Sequence, residues 1–563
     1  MTNARFFQLT REKHHAIMTK KLSEKEIIMK KSFDSLGVMI DMSRNAVMSI
    51  EGLEGYMPLL RKMGYNKLFL YTEDTYEIEG EPYFGYMRGK YSIDELKRID
   101  EIGEKNGIEV VPCIQTLAHL NIYEKWRKHP FDGDGVLLVD DEKTYELIEK
   151  MFSTLSKCFK TRLIHVGMDE AMHLGRGGHL DKYGYESVDS IMRRHLNRVM
   201  EIGEKYGYKL MIWSDMFFRG WNNNEYYSPA VTMPKEYVDA FPKDLIPVYW
   251  DYYQKDANKY RDMLHNHLQL SKNTWFAGGA WTWGGYGPHN YFSIDASRAA
   301  IDACKDYGIR NLIFTMWGDL GGECSRLAVL PCLYYSAQYA KGVTDIEKIK
   351  QGFKRLTGME FDDFLLLDEP NNVSGKMKEF ELPTNPARFM VTSDPFNGCY
   401  DYTVIEDGGK HYDETARKLI AVSKKSRKYG YLFDVQAKLC AFLSDKYELG
   451  VKTRSAYQNG NKEALNSLAN GEYTRCIKSL KAFLRAHREQ WVRENKSFGY
   501  QTLELRLGGT IERIASCRAR LLDYCSGKIS RIEELEGEIL PMNYKPDEAY
   551  FNHPSYIFVS VPV

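Results

Sequence analysis

No apolar run in the 563 residues is long enough to span a bilayer, so a helical membrane protein is excluded. Charge of one sign is also missing. The formal net charge is +0 and no long basic run occurs, so nucleic acid and membrane surfaces are not expected partners. The ten cysteines are scattered, with no CxxC pair and no metal-ligand spacing. No metal is expected, and thiols such as Cys113 and Cys440, set within apolar runs, read as small core residues of a cytoplasmic protein. The first 21 residues carry charges but no apolar h-region, so no signal peptide is expected. Glycine-rich nucleotide motifs are lacking too. No GxGxxG follows the first candidate strand, and Leu174–His179 does not fit a P-loop and reads as a flexible loop. No cofactor is expected.

What is present is an ordinary globular balance, 43% hydrophobic and 27% charged, with a high aromatic share of 13%. Clefts for sugars and other flat ligands use aromatics heavily, although a large core does as well. The length calls for two or three domains.

From about residue 36 the chain is rhythmic. A helical stretch closes on a glycine and a short apolar strand follows. The phrase recurs as Lys62-Met63-Gly64, Lys105-Asn106-Gly107, Lys205-Tyr206-Gly207 and Asp306-Tyr307-Gly308. Glycine closes a helix cheaply in the left-handed cap position. Eight strands are predicted near 36–40, 67–71, 108–114, 162–167, 208–213, 245–250, 275–280 and 310–316. Eight strands alternating with helices predict an α/β (β/α)8 TIM barrel over 36–340, with a doubly wound open sheet as the alternative. Residues 1–35 read as a short lead-in, with a strand at Arg5–Leu9 and a helix at Ser23–Lys31. Residues 341–563 read as a mainly helical domain with a tail from 546, ending in the apolar run Ile557–Val561. Leu432, Val435, Leu439 and Phe442 share one helix face, as do Ile477, Leu480, Leu484, His487 and Trp491. Glu369–Asn372 and Leu382–Pro386 read as loops.

In such a barrel the active site lies at the C-terminal strand ends. This chain places Asp41–Arg44, Tyr71–Asp74, Gln115–His119, Asp169-Glu170, Trp213–Asp215, Tyr249–Tyr253, Trp281–Trp283 and Trp317–Asp319 there. The decisive stretch is His165-Val166-Gly167-Met168-Asp169-Glu170: an apolar strand, a glycine and two adjacent carboxylates. Neighbours on a strand normally point to opposite faces, but at the strand's end the twist relaxes and both can reach one pocket. Two carboxylates so close cannot easily both ionise. One then suits proton donation while the other stays anionic.

That stretch resembles the H-x-G-x-D-E signature of family 20 of the glycoside hydrolases, the β-N-acetylhexosaminidases. Arg44, Gln115-Thr116-x-x-His119, Trp213 and Trp317-x-Asp319 are similar to further family positions. The resemblance covers roughly 36–340. It departs from the common pattern in lacking a large N-terminal α/β domain, in its long helical C-terminal region, and in Asp319 where many members have Glu. The layout is similar to that of an intracellular bacterial branch of exo-acting enzymes.

The resemblance implies substrate-assisted, retaining removal of terminal β-linked GlcNAc or GalNAc from an oligosaccharide or glycoconjugate. The substrate's acetamido oxygen attacks the anomeric carbon. Glu170 is implied as general acid and then base, and Asp169 as the anion that holds the acetamide and stabilises the cationic intermediate. Arg44 and Asp319 are implied contacts to sugar hydroxyls. Tyr249 with Asp251, or Tyr253 instead, is implied to contact the acetamide and hydroxyls. Trp213, Trp283 and Trp317 are implied as apolar walls, and His119 and His165 as groups that orient carboxylates. Two other readings stay open: a non-catalytic amino-sugar-binding barrel, and a retaining glycosidase with a protein nucleophile, Glu323 or Asp319.

Overall fold

The computed structural model describes residues 33–540. The strand and helix expected at Arg5–Leu9 and Ser23–Lys31, and the tail from 546, lie outside the described residues. Eight parallel strands close into a barrel in sequence order. They are β1 Ser35–Asp41, β2 Lys67–Tyr71, β3 Glu109–Cys113, β4 Leu163–His165, β5 Lys209–Trp213, β6 Ile246–Trp250, β7 Trp275–Gly279 and β8 Asn311–Met316. β1 closes the barrel by pairing with both β2 and β8, as in Asp41 with Tyr71 and Ile40 with Met316. The expected barrel is therefore the observed fold, and the open doubly wound sheet is not.

The glycine phrase does what its chemistry requires. Gly64, Gly107, Gly207 and Gly308 all have positive φ, between 66° and 114°. The Gly64 amide donates to Leu60 and Arg61 carbonyls, which ends one helix and turns the chain into β2. The helix Ile93–Asn106 starts with a full capping box between Ser92 and Glu95.

The chain after the barrel is helical. Gly430–Lys446 buries the face read from its periodicity, Leu432, Val435, Leu439 and Phe442. In Glu472–Glu494, Leu480, His487 and Trp491 are inside, whereas Ile477 and Leu484 are only half-buried, because the inward face runs through Tyr473, Cys476 and Phe483. In place of the loop expected at Glu369–Asn372, Leu366–Asn371 is a 3-10 turn. The loop expected at Leu382–Pro386 is present up to Asn385, and Pro386 opens the short helix Pro386–Thr392. Leu174–His179 is also more constrained than a flexible loop. The amides of Gly175, Gly177 and His179 all donate to the Asp132 carboxylate. A Cβ at Gly177 would lie 1.7 Å from the Asp132 carbonyl oxygen, so only glycine fits.

The barrel wall is close-packed at its first strand. A Cβ on Gly37 would come 2.7 Å from the fully buried Phe69 ring. Gly37→Ala is expected to destabilise by about 1–3 kcal/mol through overpacking. Adding Phe69→Leu should recover part of that loss. Thermal unfolding of the three variants checks this, and a double variant worse than the sum of both single changes would contradict it.

Candidate active site

The C-terminal ends of the strands surround a cavity of about 510 Å³. Arg44, Tyr71, His119, Asp169, Glu170 and Asp319 supply its polar lining. Trp213, Trp250, Tyr252, Tyr253, Trp283 and Trp317 supply its apolar walls. Polar groups converging among aromatic walls suit a sugar ring.

The two adjacent carboxylates reach it together because the backbone is bent three times. Gly167, Met168 and Glu170 all have positive φ, at 71°, 68° and 50°. Gly167 has no room for a side chain, since a Cβ would stand 2.1 Å from Gln115 Oε1. Gln115 then works on both sides of the bend. Its Oε1 accepts from the Met168 amide at 3.1 Å, and its Nε2 donates to Asp169 Oδ1 at 2.7 Å. The left-handed Glu170 is held by its own amide, which donates to Asp215 Oδ2 at 3.0 Å.

The same neighbours separate the ionisations of the pair. Burial alone would push Asp169 up, but His119, whose Nε2 lies 3.2 Å from Asp169 Oδ2, and Gln115 outweigh it and hold the carboxyl below its usual value. Burial and then the Asp169 charge push Glu170 up. His119 is driven the other way from its own burial: the Asp169 anion raises it to about 9, so it is a cation at neutral pH. Asp215, fully buried and near Asp169, is pushed up to about 7.

On the opposite wall Arg44 is held in a cage of acids. Its Nη1 lies 3.0 Å from Glu73 and 3.4 Å from Asp41, and its Nε lies 3.7 Å from Asp319. The guanidinium also packs on Tyr71 and Trp317. Trp283 stacks on Trp281 at 4.0 Å between ring centres, and Trp281 itself is buried and donates to the Tyr252 carbonyl.

Nine of the twelve residues singled out in the sequence line this cavity. Three do not. Tyr249 is fully buried, packs against His267 of the surrounding helix layer and donates to Asp251, which is 1% exposed. The pleat explains this correction. Trp250 and Tyr252 share the face that looks into the cavity, so Tyr249 and Asp251 point away. Between the two tyrosine candidates, the structure brings Tyr253 to the cavity. His165 is the third exception. It is buried against Trp213, its Nδ1 accepts from the Gly167 amide at 3.1 Å, and burial lowers it to about 3, so it is neutral and touches no carboxylate. Glu323, one nucleophile considered, is 4% exposed and ion-paired to Arg388 and Arg506 away from the cavity. Tyr71, Trp250 and Tyr252 were not singled out, though all three fall in the strand-end segments that the barrel pattern marks.

Two groups of side chains among the described residues are close enough to share a cation. His119, Asp169 and Glu170 are the cavity's own charged groups, and there His119 Nε2 lies 3.2 Å from Asp169 Oδ2. In Asp140, His179 and Glu186, Arg194 already binds both carboxylates.

A profile described as the glycosyl hydrolase family 20 catalytic domain matches residues 36–263. A second, described as the glycoside hydrolase 20C C-terminal domain, matches residues 362–553. The chain belongs to glycoside hydrolase family 20. It is similar to hexosaminidase D of Bos taurus, 22% identical over 244 residues, which are 41% of this chain and 65% of that protein. Hexosaminidase D of Homo sapiens is 22% identical over 224 residues, 37% of this chain and 43% of that one. The chain thus matches less than two thirds of the length of either relative. An exo-β-N-acetylglucosaminidase of the family from Vibrio harveyi, solved with N-acetylglucosamine, aligns over 57% of each chain at 15% identity and a TM-score of 0.45.

The charge arrangement has a direct consequence. His119→Gln removes the cation that lowers both carboxyls, so Asp169 and Glu170 should both titrate at higher pH than in the unaltered protein. Carboxyl-carbon NMR titration of the two proteins checks this. A downward shift of either group would contradict the arrangement.

Proposed function

We propose that this family-20 chain is an exo-acting β-N-acetylhexosaminidase that removes terminal β-linked GlcNAc or GalNAc by substrate-assisted, retaining hydrolysis. One observation carries the reading: two adjacent carboxyls in one aromatic cavity, with Asp169 held anionic and Glu170 pushed towards its protonated form. Glu170, the more exposed of the two, gives its proton to the leaving oxygen. The substrate's acetamido oxygen attacks the anomeric carbon, and proximity supplies much of the rate. Asp169 positions the acetamide and balances the positive charge of the cyclic intermediate. Water then opens that intermediate, with Glu170 as the base.

Arg44 and Asp319 are the contacts for the sugar hydroxyls in this reading. Trp213, Trp283 and Trp317, joined by Trp250 and Tyr252, enclose the ring and the acetamide methyl, and Tyr253 is the tyrosine within reach. Substrates are oligosaccharides or glycoconjugates. All ten cysteines are unpaired, which supports a reducing, cytoplasmic setting and the intracellular branch of the family.

The test compares aryl β-glycosides with and without the 2-acetamido group on otherwise identical sugars. Only the acetamido sugar should be cleaved. Equal cleavage of the plain glycoside would mean a protein nucleophile and would remove Asp169 from its role. Within the acetamido series, Glu170→Gln should cost about 10²–10⁴-fold in kcat for poor leaving groups. Activated aryl groups need less proton donation and should lose less. Asp169→Asn should slow both kinds of substrate.

A further inference from the structure

The cavity has two walls, and they are anchored by different parts of the chain. Asp169 and Glu170 are held entirely from within the barrel, by Gln115, His119 and Asp215. Arg44 and Asp319 sit on the loops after β1 and β8, and the helical domain grips both loops.

The grip on the second loop is polar and largely buried. Arg506 Nη1, from the helix Tyr500–Cys525, donates to the Leu320 carbonyl at 2.6 Å and pairs with Glu323 Oε1 at 3.1 Å. Arg388 pairs with the other oxygen of Glu323, and His487 Nε2 lies 2.7 Å from the Glu323 carbonyl. Leu320, next to Asp319, is left-handed at φ 72°, a conformation a leucine does not keep unaided. The first loop is held by backbone pairing. Ser49 N donates to the Glu494 carbonyl at 3.0 Å, and Lys496 N to the Val47 carbonyl at 2.8 Å. Glu494 spans the two loops, since its Oε1 also accepts from Ser325 Oγ at 2.6 Å.

We propose that the helical domain is a positioning element for sugar recognition, with Arg506 as the residue that fixes Asp319 opposite Arg44. The inference rests on the hexosaminidase reading given above. Arg506 touches neither the cavity nor the carboxylate pair, so its effect must pass through Leu320 and Asp319. An aspartate is one methylene shorter than a glutamate and cannot reach by flexing its side chain. Its place is set by its backbone: the Asp319 carbonyl accepts from Gly284 N, and the next carbonyl, that of Leu320, accepts from Arg506 at 2.6 Å and more distantly from Arg388 at 3.4 Å.

The experiment is a double-mutant cycle on the full chain, read with aryl β-GlcNAc and aryl β-GalNAc, which differ only at C4. Arg506→Met should raise KM about ten-fold, leave kcat within about three-fold, and change the ratio of kcat/KM between the two sugars. Arg506→Lys keeps the charge and should restore much of the loss. In an Asp319→Ala background, Arg506→Met should add almost nothing, because the two act through one contact. If Arg506→Met does not fold by circular dichroism, Arg506→Gln carries the same comparison. Equal effects in both backgrounds, or a fall in kcat with KM and sugar ratio unchanged, would overturn the proposal. Failure of the unaltered chain to cleave either glycoside would strike the activity reading instead, whereas cleavage with an uncoupled Arg506 strikes only the clamp.

Discussion

The site depends on a backbone constraint: two consecutive carboxylates must face one cavity. A regular strand forbids that, because its side chains alternate. The chain escapes by adopting left-handed φ at Gly167, Met168 and Glu170 within four residues. Each non-glycine left-handed residue costs of order 1–3 kcal/mol and persists only when its surroundings over-determine it. Here Gln115 accepts the Met168 amide and Asp215 accepts the Glu170 amide. Gln115 also grips Asp169, so the group that holds the bend holds the anion it delivers. Geometry and charge are thereby coupled in one side chain.

Much of the fold was legible because barrel construction leaves local marks. Each strand is a short apolar run, and several are preceded by a helix that stops at a left-handed glycine; both signals survive in a few residues of sequence. The rim tryptophans and the Asp169-Glu170 pair were legible for the same reason, since strand ends locate the rim. What failed was parity. Whether Tyr249 and Asp251 or Trp250 and Tyr252 face the cavity depends on the pleat of β6, and a one-residue change of phase exchanges the two sets. His165 failed differently. Its position in a signature says that it matters, not that it touches substrate, and the structure uses it to pack Trp213 and to accept the Gly167 amide.

The helical domain lay beyond local reading altogether. Arg506 and Glu323 are 183 residues apart and meet only in the fold. Helical periodicity reports which residues of Tyr500–Cys525 turn inward, but not that Arg506 reaches back to a barrel loop. The same holds for Glu494, which occupies an ordinary helix end and yet joins the loops after β1 and β8. Buried ion pairs of this kind are weak sources of stability, because desolvation offsets most of the attraction. Their value here lies in direction. A charged fork that must satisfy both Leu320 and Glu323 admits few loop conformations.

That division of labour follows from what each wall must do. In the proposed reaction the carboxylate pair keeps its spacing for every substrate, and it is fixed by neighbours just past the ends of the adjacent strands, Gln115 and His119 after β3 and Asp215 after β5. Recognition of a hydroxyl pattern is a property of loops, and loops on a barrel rim are short of partners. A second domain packed on that rim supplies them. Arg44 illustrates the result. Three carboxylates from three strand ends surround it, and one of them, Asp319, has 45% of its side chain exposed. An arginine so enclosed stays charged and keeps one orientation, with few spare donors. In the proposed function a sugar hydroxyl entering there meets a donor and an acceptor already aligned, and the cost of aligning them has been met in folding.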